Sequence, residues 1–267
     1  SGLVKSILGF RFEKFVNWHN TRLASRFNNV IATTAFASRE FESIKVKNLV
    51  NIPLGVDLET FSPKLRNTTM RNELLKGQEV LLIHLGRMSP EKNPQNSILA
   101  LIELRKRGVN ARLIYVGMGP MFAKLKKLAE GQPVTFLGYI VDRNKLAEIM
   151  ACADVSIAPG PIETFCLAAL ESLASGTPVV ASATSAVGEF LMLDSKNPVG
   201  AVADNNPHAF ADAINQVLEL KNSQPDLQQK CHHQAENFPW SSTLMMMLRL
   251  HGAGREVTAL HRNLRAA

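Results

Sequence analysis

The fold class this sequence predicts is doubly wound α/β, with one parallel sheet and helices on both faces. Two observations predict it. From Glu79 onward, short aliphatic or β-branched runs alternate with longer amphipathic stretches, a texture that reads as strand, crossover helix, strand. Four of the runs end at or just before a glycine, namely Gly86, Gly117, Gly138 and Gly160, where a chain turns tightly beside a ligand crevice.

The runs are VLLIHLG (80–86), RLIYVG (112–117), VTFLG (134–138), DVSIAPG (154–160), PVVAS (178–182) and GAVAD (200–204). Helices are expected over Asn93–Arg107, Pro120–Glu130, Asp142–Ala151 and Phe165–Ser175. Three more should follow between Pro207 and Ala267, the last from near Trp240. Six units in a 3-2-1-4-5-6 order make a Rossmann-like sheet whose first and fourth strands are neighbours. The switch point then falls between Leu85–Arg87 and Ala158–Glu163, the usual ligand site of such sheets. Ahead of Glu79 the texture changes to a helix over Phe10–Arg26, a short strand at Asn29–Thr33 and an extended, Pro/Gly-broken segment at Val50–Asp57.

The 267 residues are 46% hydrophobic and 20% charged, which excludes disorder as the dominant state. Only 6% are aromatic, so the core must be aliphatic. Thirty Lys+Arg against 23 Asp+Glu give a net charge of +7. Such a charge allows an anionic partner without choosing among nucleic acid, a membrane surface and a phosphorylated ligand. No apolar run reaches the roughly 18–20 residues of a membrane span, and Ser1–Phe12 shows no cleavage site of a secretory signal. The cysteines Cys152, Cys166 and Cys231 are odd in number and lack metal-ligand spacing, which fits a reduced cytoplasmic protein.

Two segments can carry chemistry. In GRMSPEKNP (86–94), Arg87 and Lys92 place two cations at the mouth of the first strand. A diphosphate needs that combination of a fork and a point charge; solvated surface cations are the bland alternative. In PIETFCLAALE (161–171), Glu163 sits after the fourth strand, Thr164 can cap the next helix, and free N–H groups at its start can receive a phosphate or sugar oxygen. Glu171 lies in the apolar run LAALESLA, where a carboxylate needs a partner such as a sugar hydroxyl. Taken singly, a capping Glu163 and a surface-edge Glu171 are simpler readings. Gly117-Met118-Gly119 reads as backbone clearance. His84 reads as a core histidine, His232-His233 as a solvated helix face, Met245–Met247 as helix packing and Cys166 as a packed residue rather than a nucleophile. There is no G-x-x-x-x-G-K-[ST], G-x-S-x-G or H-E-x-x-H.

GRMSPEKNP, VGMGP, VTFLGYI and above all IETFCLAALESLASGTPVVAS resemble the C-terminal half of retaining GT-B glycosyltransferases, whose Glu-x7-Glu motif would here be Glu163 and Glu171. NIPLGVDLETFSP resembles that family's interdomain linker, and FPW (238–240) the start of its last helix. The resemblance implies a nucleotide-diphospho-sugar as donor, a lipid or glycan as acceptor, no metal or other cofactor, and no nucleic acid. Arg87 and Lys92, after Gly86, would bind the diphosphate and assist the leaving group. Glu163 would hold hexose hydroxyls, and Glu171 the ribose. Backbone groups of Phe165, Cys166 and Leu167 would face phosphate or hexose, with Gly117 clearing the crevice. Gly138, Tyr139 and Ile140 would meet the base. Catalytic roles would fall to Arg87, Lys92 and Glu163.

The chain departs from the family at Glu163-Thr164-Phe165-Cys166, where Glu-Gly-Phe-Gly is common. Its general flavour resembles mannosyltransferases of bacterial lipoglycan and phosphatidylinositol mannoside assembly. That implies GDP-mannose and a cytoplasmic location with peripheral contact at the inner face of the membrane. A non-catalytic nucleotide-sugar-binding module and a GT-B nucleotide-sugar epimerase are the competing readings. The domain plan implied is 1–50 as the end of an acceptor domain, 51–78 as linker, 79–239 as donor domain and 240–267 as a helix returning to the first domain. Slow transfer by this chain alone is expected on that plan. So is an apolar stripe of Leu244, Met247, Leu248 and His251 on the last helix.

Overall fold

The computed structural model describes residues 10–194 and 197–252. Its main sheet contains β3 (Val80–Leu85), β4 (Ala111–Val116), β5 (Val134–Phe136), β6 (Val155–Ala158), β7 (Val179–Ser182) and β8 (Gly200–Ala203). The order is β5-β4-β3-β6-β7-β8, with every pair parallel. This is the expected 3-2-1-4-5-6 arrangement. Register is continuous across the centre, where Leu82 faces Leu113 on one side and Val155 on the other.

Alternation along the strands sends side chains to two cores. On β3, Leu81 and Ile83 join one apolar cluster while Leu82 joins the other. On β4, Ile114 and Val116 take the first, and Leu113 and Tyr115 the second. The second face is covered by α4 (Gln95–Lys106), α5 (Phe122–Leu128) and α9 (Pro207–Ser223). The first is covered by α6 (Arg143–Cys152), α7 (Leu167–Ala174), α8 (Val187–Leu191) and α10 (Leu227–Ala235). Strands buried on both faces explain the near-continuous aliphatic runs in the sequence.

Before the main sheet, α1 (Phe10–Ala24) leads to β1 (Val30–Ala32), α2 (Ala35–Ser43) and β2 (Leu49–Asn51). β1 and β2 form a separate parallel pair. α3 (Thr68–Leu75) then precedes β3. The helices α2, α3 and α8 were not expected from periodicity. At five to nine residues they are too short for a strong apolar repeat.

The linker is held by α11 (Trp240–Leu250). The Val56 amide donates to the Phe238 carbonyl at 2.8 Å, and Thr243 Oγ1 donates to the Pro53 carbonyl at 2.8 Å. Gly55 passes so close that a Cβ there would lie 2.5 Å from the Trp240 backbone. The expected stripe on α11 is only partly open. Leu244 is exposed, as is His251, but Met247 and Leu248 are half-buried, and Trp240 and Met246 are the other exposed apolar side chains. Thr243, on the linker-facing side, sets that rotation. His232 also departs from expectation: its Nδ1 meets the Ala174 carbonyl at the end of α7, whereas His233 is solvated.

Helix α7 starts at Leu167, later than expected, and Thr164 does not cap it. Its N-cap is Cys166 at φ 70°, with no side-chain cap bond. That left-handed conformation favours glycine, so a side chain there carries strain. The position is one where the resembled family commonly has glycine.

At the opposite, N-terminal edge of the strands, the buried Asp154 accepts from the Leu81 amide (2.8 Å) and Arg71 (2.7 Å), and pairs with Lys221 and more distantly with Arg66. Burial alone would raise its pKa. The attraction of Lys221 and Arg71 and the Leu81 amide outweigh burial and hold the carboxyl below its ordinary value. A depressed carboxyl stabilises the fold above its unfolded pKa of about 4, and the contribution fades as pH falls through the folded value.

Replacing Asp154 with Asn should therefore cost about 3 kcal/mol at pH 7, the low end for a broken buried pair because the cations keep some water. Urea unfolding should show that deficit shrinking below about pH 4; equal stability at pH 7 would contradict it. Cys166→Gly should gain about 1 kcal/mol by releasing the positive-φ strain, while Cys166→Val should lose stability. A melting temperature lowered as much by Gly as by Val would show that no strain is stored there.

Candidate active site

The C-terminal ends of β3 and β6 are adjacent, and a cleft of 340 Å³ opens between them. One wall is the turn after β3. The Gly86 amide donates to the Val116 carbonyl (3.0 Å), the Met88 amide to the Met118 carbonyl (3.1 Å), and the Met121 amide to the Met88 carbonyl (2.9 Å). These bonds fix the backbone on both sides of Arg87, whose side chain is exposed, lines the cleft and makes no ion pair among the described residues. Gly117 permits this join, since a Cβ there would sit 2.1 Å from the Gly86 carbonyl oxygen. The reading of clearance holds, with the Gly86–Met88 backbone as the neighbour cleared.

Lys92 ends a 3-10 turn, Pro90–Lys92, and crosses the cleft. Its Nζ donates to both carboxylate oxygens of Glu163, at 2.7 and 2.8 Å. The Glu163 side chain is 13% exposed and that of Lys92 36%, so the carboxylate is largely desolvated while the ammonium keeps part of its water. A carboxylate so placed accepts hydroxyl donors as readily as it accepts an ammonium.

The loop carrying Glu163 is anchored along its backbone. The Ala186 amide donates to the Glu163 carbonyl (2.9 Å), Thr184 Oγ1 to the Pro161 carbonyl (2.9 Å), and Thr34 Oγ1 to the Thr164 carbonyl (2.8 Å). Phe165 is buried, with Phe190 at 5.7 Å and Phe238 at 6.4 Å between ring centroids. Phe165, Cys166 and Leu167 line the cleft at the uncapped start of α7. Burial pushes the Cys166 thiol up to about 12, so the thiolate a nucleophile requires is scarce at neutral pH.

His84 is a core side chain that also borders the cleft. Its ring lies 4.7 Å from Tyr115, and its Nδ1 meets Ser97 Oγ at 2.9 Å. Burial and the nearby Lys92 depress its pKa to about 3, so the imidazole is neutral.

The two motif glutamates do not share this cleft. Glu171 borders a second one, of 590 Å³, with Asp57, Arg143 and Trp240; Leu167 lines both. Burial raises the Glu171 pKa, and Arg143, 3.3 Å away, opposes that rise. Arg143 also lies 5.0 Å over the Phe61 ring. Gly117 joins the ends of β4 and β5 by donating its amide to the Gly138 carbonyl at 2.7 Å. Tyr139, 77% exposed, and the half-buried Ile140 follow on this rim, outside the wall of the first cleft.

Sequence reasoning missed Arg143, Thr34 and Glu189, whose partners lie 28, 130 and about 150 residues away. The Thr34 cap alone had a local signal, a Thr ahead of a helix. Among the described residues, no group of three or more His, Cys, Asp or Glu is placed to hold a metal ion. No helix there is long and apolar enough to cross a membrane.

Residues 66–238 match the family described as glycosyl transferases group 1. The GDP-mannose-dependent alpha-(1-6)-phosphatidylinositol dimannoside mannosyltransferase of Mycobacterium tuberculosis is 44% identical over 243 residues, covering 90% of this chain. The match spans 62% of that relative's length. The sulfoquinovosyl transferase of Arabidopsis thaliana is 29% identical, over 70% of this chain and 36% of its own. Among solved structures, Anabaena HepE in complex with UDP and glucose superposes with a TM-score of 0.73 at 19% identity, over 89% of this chain and 66% of the other. Sucrose-phosphate synthase from Thermosynechococcus elongatus gives 0.73 at 20% identity, over 96% and 65%. The fold found here is that of the matched two thirds of these two structures, and the chain belongs to the glycosyl transferases of group 1.

Proposed function

We propose that this chain holds the donor site of a retaining hexosyltransferase that uses GDP-mannose and transfers mannose to a lipid-linked acceptor. The observation that carries the reading is the meeting of Arg87, Lys92 and Glu163 at the sheet's switch point. A nucleoside diphosphate brings negative charge to a cleft that offers one unpaired guanidinium, one ammonium and the first turn of α7. Lys92 then shares its three donors between phosphate and Glu163. Glu163, relieved of part of its ion pair, accepts hydroxyls of the hexose. Glu171 accepts the ribose hydroxyls in the neighbouring cleft once Arg143 swings from it, and the rim at Gly138–Ile140 flanks the base.

Bond cleavage at the anomeric carbon leaves negative charge on the diphosphate and positive charge on the sugar. Arg87 and Lys92 stabilise the first, and the carboxylate of Glu163 the second. In this reading no metal is needed, because the two cations supply the countercharge. The 44% identity to the mycobacterial enzyme supports mannose and a phosphatidylinositol mannoside acceptor. A nucleotide-binding module without catalysis would keep Arg87 and Lys92 but have no use for a carboxylate aimed at the sugar position.

Calorimetric titration in the presence of EDTA should show GDP binding more tightly than UDP. Arg87→Ala/Lys92→Ala should lose at least about 100-fold in GDP affinity, since two charge-assisted contacts are worth roughly 1.5–3 kcal/mol each. Parent-like affinity in the double variant would remove the diphosphate assignment, and preference for UDP would remove GDP-mannose.

A further inference from the structure

A third cleft, of 660 Å³, reaches Lys92 and Glu163 from the other side. Its far wall is α2, with Phe36, Arg39 and Phe41. Lys92, Glu163 and Thr164 line both this space and the donor cleft. A transfer reaction needs two substrates to converge on one point, and these shared residues mark it.

α2 rests on β1 and β2, with its buried Ser38 bonded to Asn51, and its start is held towards the cleft by caps from elsewhere in the chain. Both oxygens of Glu189, on α8, accept from the first amides of α2, Ala35 at 3.0 Å and Phe36 at 2.6 Å. Thr34 Oγ1 accepts from the Ala37 amide at 3.0 Å and donates its own proton to the Thr164 carbonyl at 2.8 Å. The start of α2 is thus bonded to α8 and to the very loop that carries Glu163. That loop is bonded in turn to α8, through the Ala186 amide and the Glu163 carbonyl.

We infer that Glu189 is a positioning residue: by capping α2 it holds the Phe36–Phe41 face opposite Lys92 and Glu163 and so forms the cleft for the second substrate. Glu189 lines neither the donor cleft nor the Glu171 cleft. Its loss should act on the acceptor and not on nucleotide binding. The inference rests on the donor-site reading above, and the test separates the two.

The experiment compares the parent chain, Glu189→Ala, Glu189→Gln and Thr34→Val, the last cutting the other arm of the latch if the Glu189 variants fold poorly. Amide hydrogen exchange is followed at 35–41 and 162–170, GDP affinity by calorimetry, and GDP release from GDP-mannose with vesicles containing phosphatidylinositol dimannoside. Glu189→Ala should speed exchange at 35–41 about tenfold, the scale of a partly buried carboxylate at a helix start, and leave 162–170 within about twofold. It should raise the acceptor KM by a similar factor and leave GDP affinity within about twofold, and Gln, keeping one acceptor oxygen, should fall between. Unchanged exchange at 35–41 would overturn the latch, as would GDP affinity falling in step with it. Failure of the parent chain to bind GDP would instead overturn the donor-site reading.

Discussion

The ion pair between Lys92 and Glu163 is the contact on which the site depends. Its two ends come from loops 71 residues apart in sequence, and they meet only because β3 and β6 are neighbours. Every other feature of the cleft serves that meeting. The sheet order sets the strands side by side, and the missing side chain of Gly117 lets the turn after β3 close on the next strand. Three backbone anchors then fix the height of the Glu163 loop. A half-buried ammonium and carboxylate each lose hydration on folding, and mutual pairing offsets that loss. The pair is thus stable without ligand and ready to be shared with one, since a phosphate can draw on the ammonium and a hydroxyl on the carboxylate.

Much of this was legible in the sequence because it follows from local pattern. Six aliphatic runs, four of them ending at or just before a glycine, predicted six strands. The connection rules of parallel sheets then gave their order, which placed Arg87 near Glu163 before any coordinates. The start of α7 was misjudged because Thr164 has the chemistry of a cap. In the fold its carbonyl is engaged by Thr34, and the helix begins three residues on, from a strained Cys166. The resemblance divided the motif glutamates between hexose (Glu163) and ribose (Glu171); α7 turns between them, so Glu171 opens onto a neighbouring cleft walled by the linker and Arg143. The hold of Glu189 on α2 had no local signal at all, since a carboxylate that caps a distant helix looks like any surface glutamate.

Strain and charge are distributed unevenly over the two ends of the sheet. At the N-terminal edge, Asp154 gathers Arg66, Arg71 and Lys221 into a closed network that ties α3 and α9 to β6. Nothing there borders the donor cleft, and its role is stability. At the C-terminal edge, Arg87 makes no ion pair among the described residues, Cys166 sits at positive φ, and the first turn of α7 has no side-chain cap. A cation left without an ion pair and an uncapped helix start at one end, against a closed charge network at the other, distinguish a binding edge from a structural one.

On the reading proposed here the switch point receives a nucleoside diphosphate between Arg87, Lys92 and the start of α7. A crystal structure of this chain with GDP is the decisive measurement. It should show phosphate oxygens within about 3 Å of Arg87 and Lys92 nitrogens, and the ribose against Glu171 with Arg143 displaced. A diphosphate bound elsewhere, with the Lys92–Glu163 pair and the Arg143–Glu171 pair both intact, would contradict that reading.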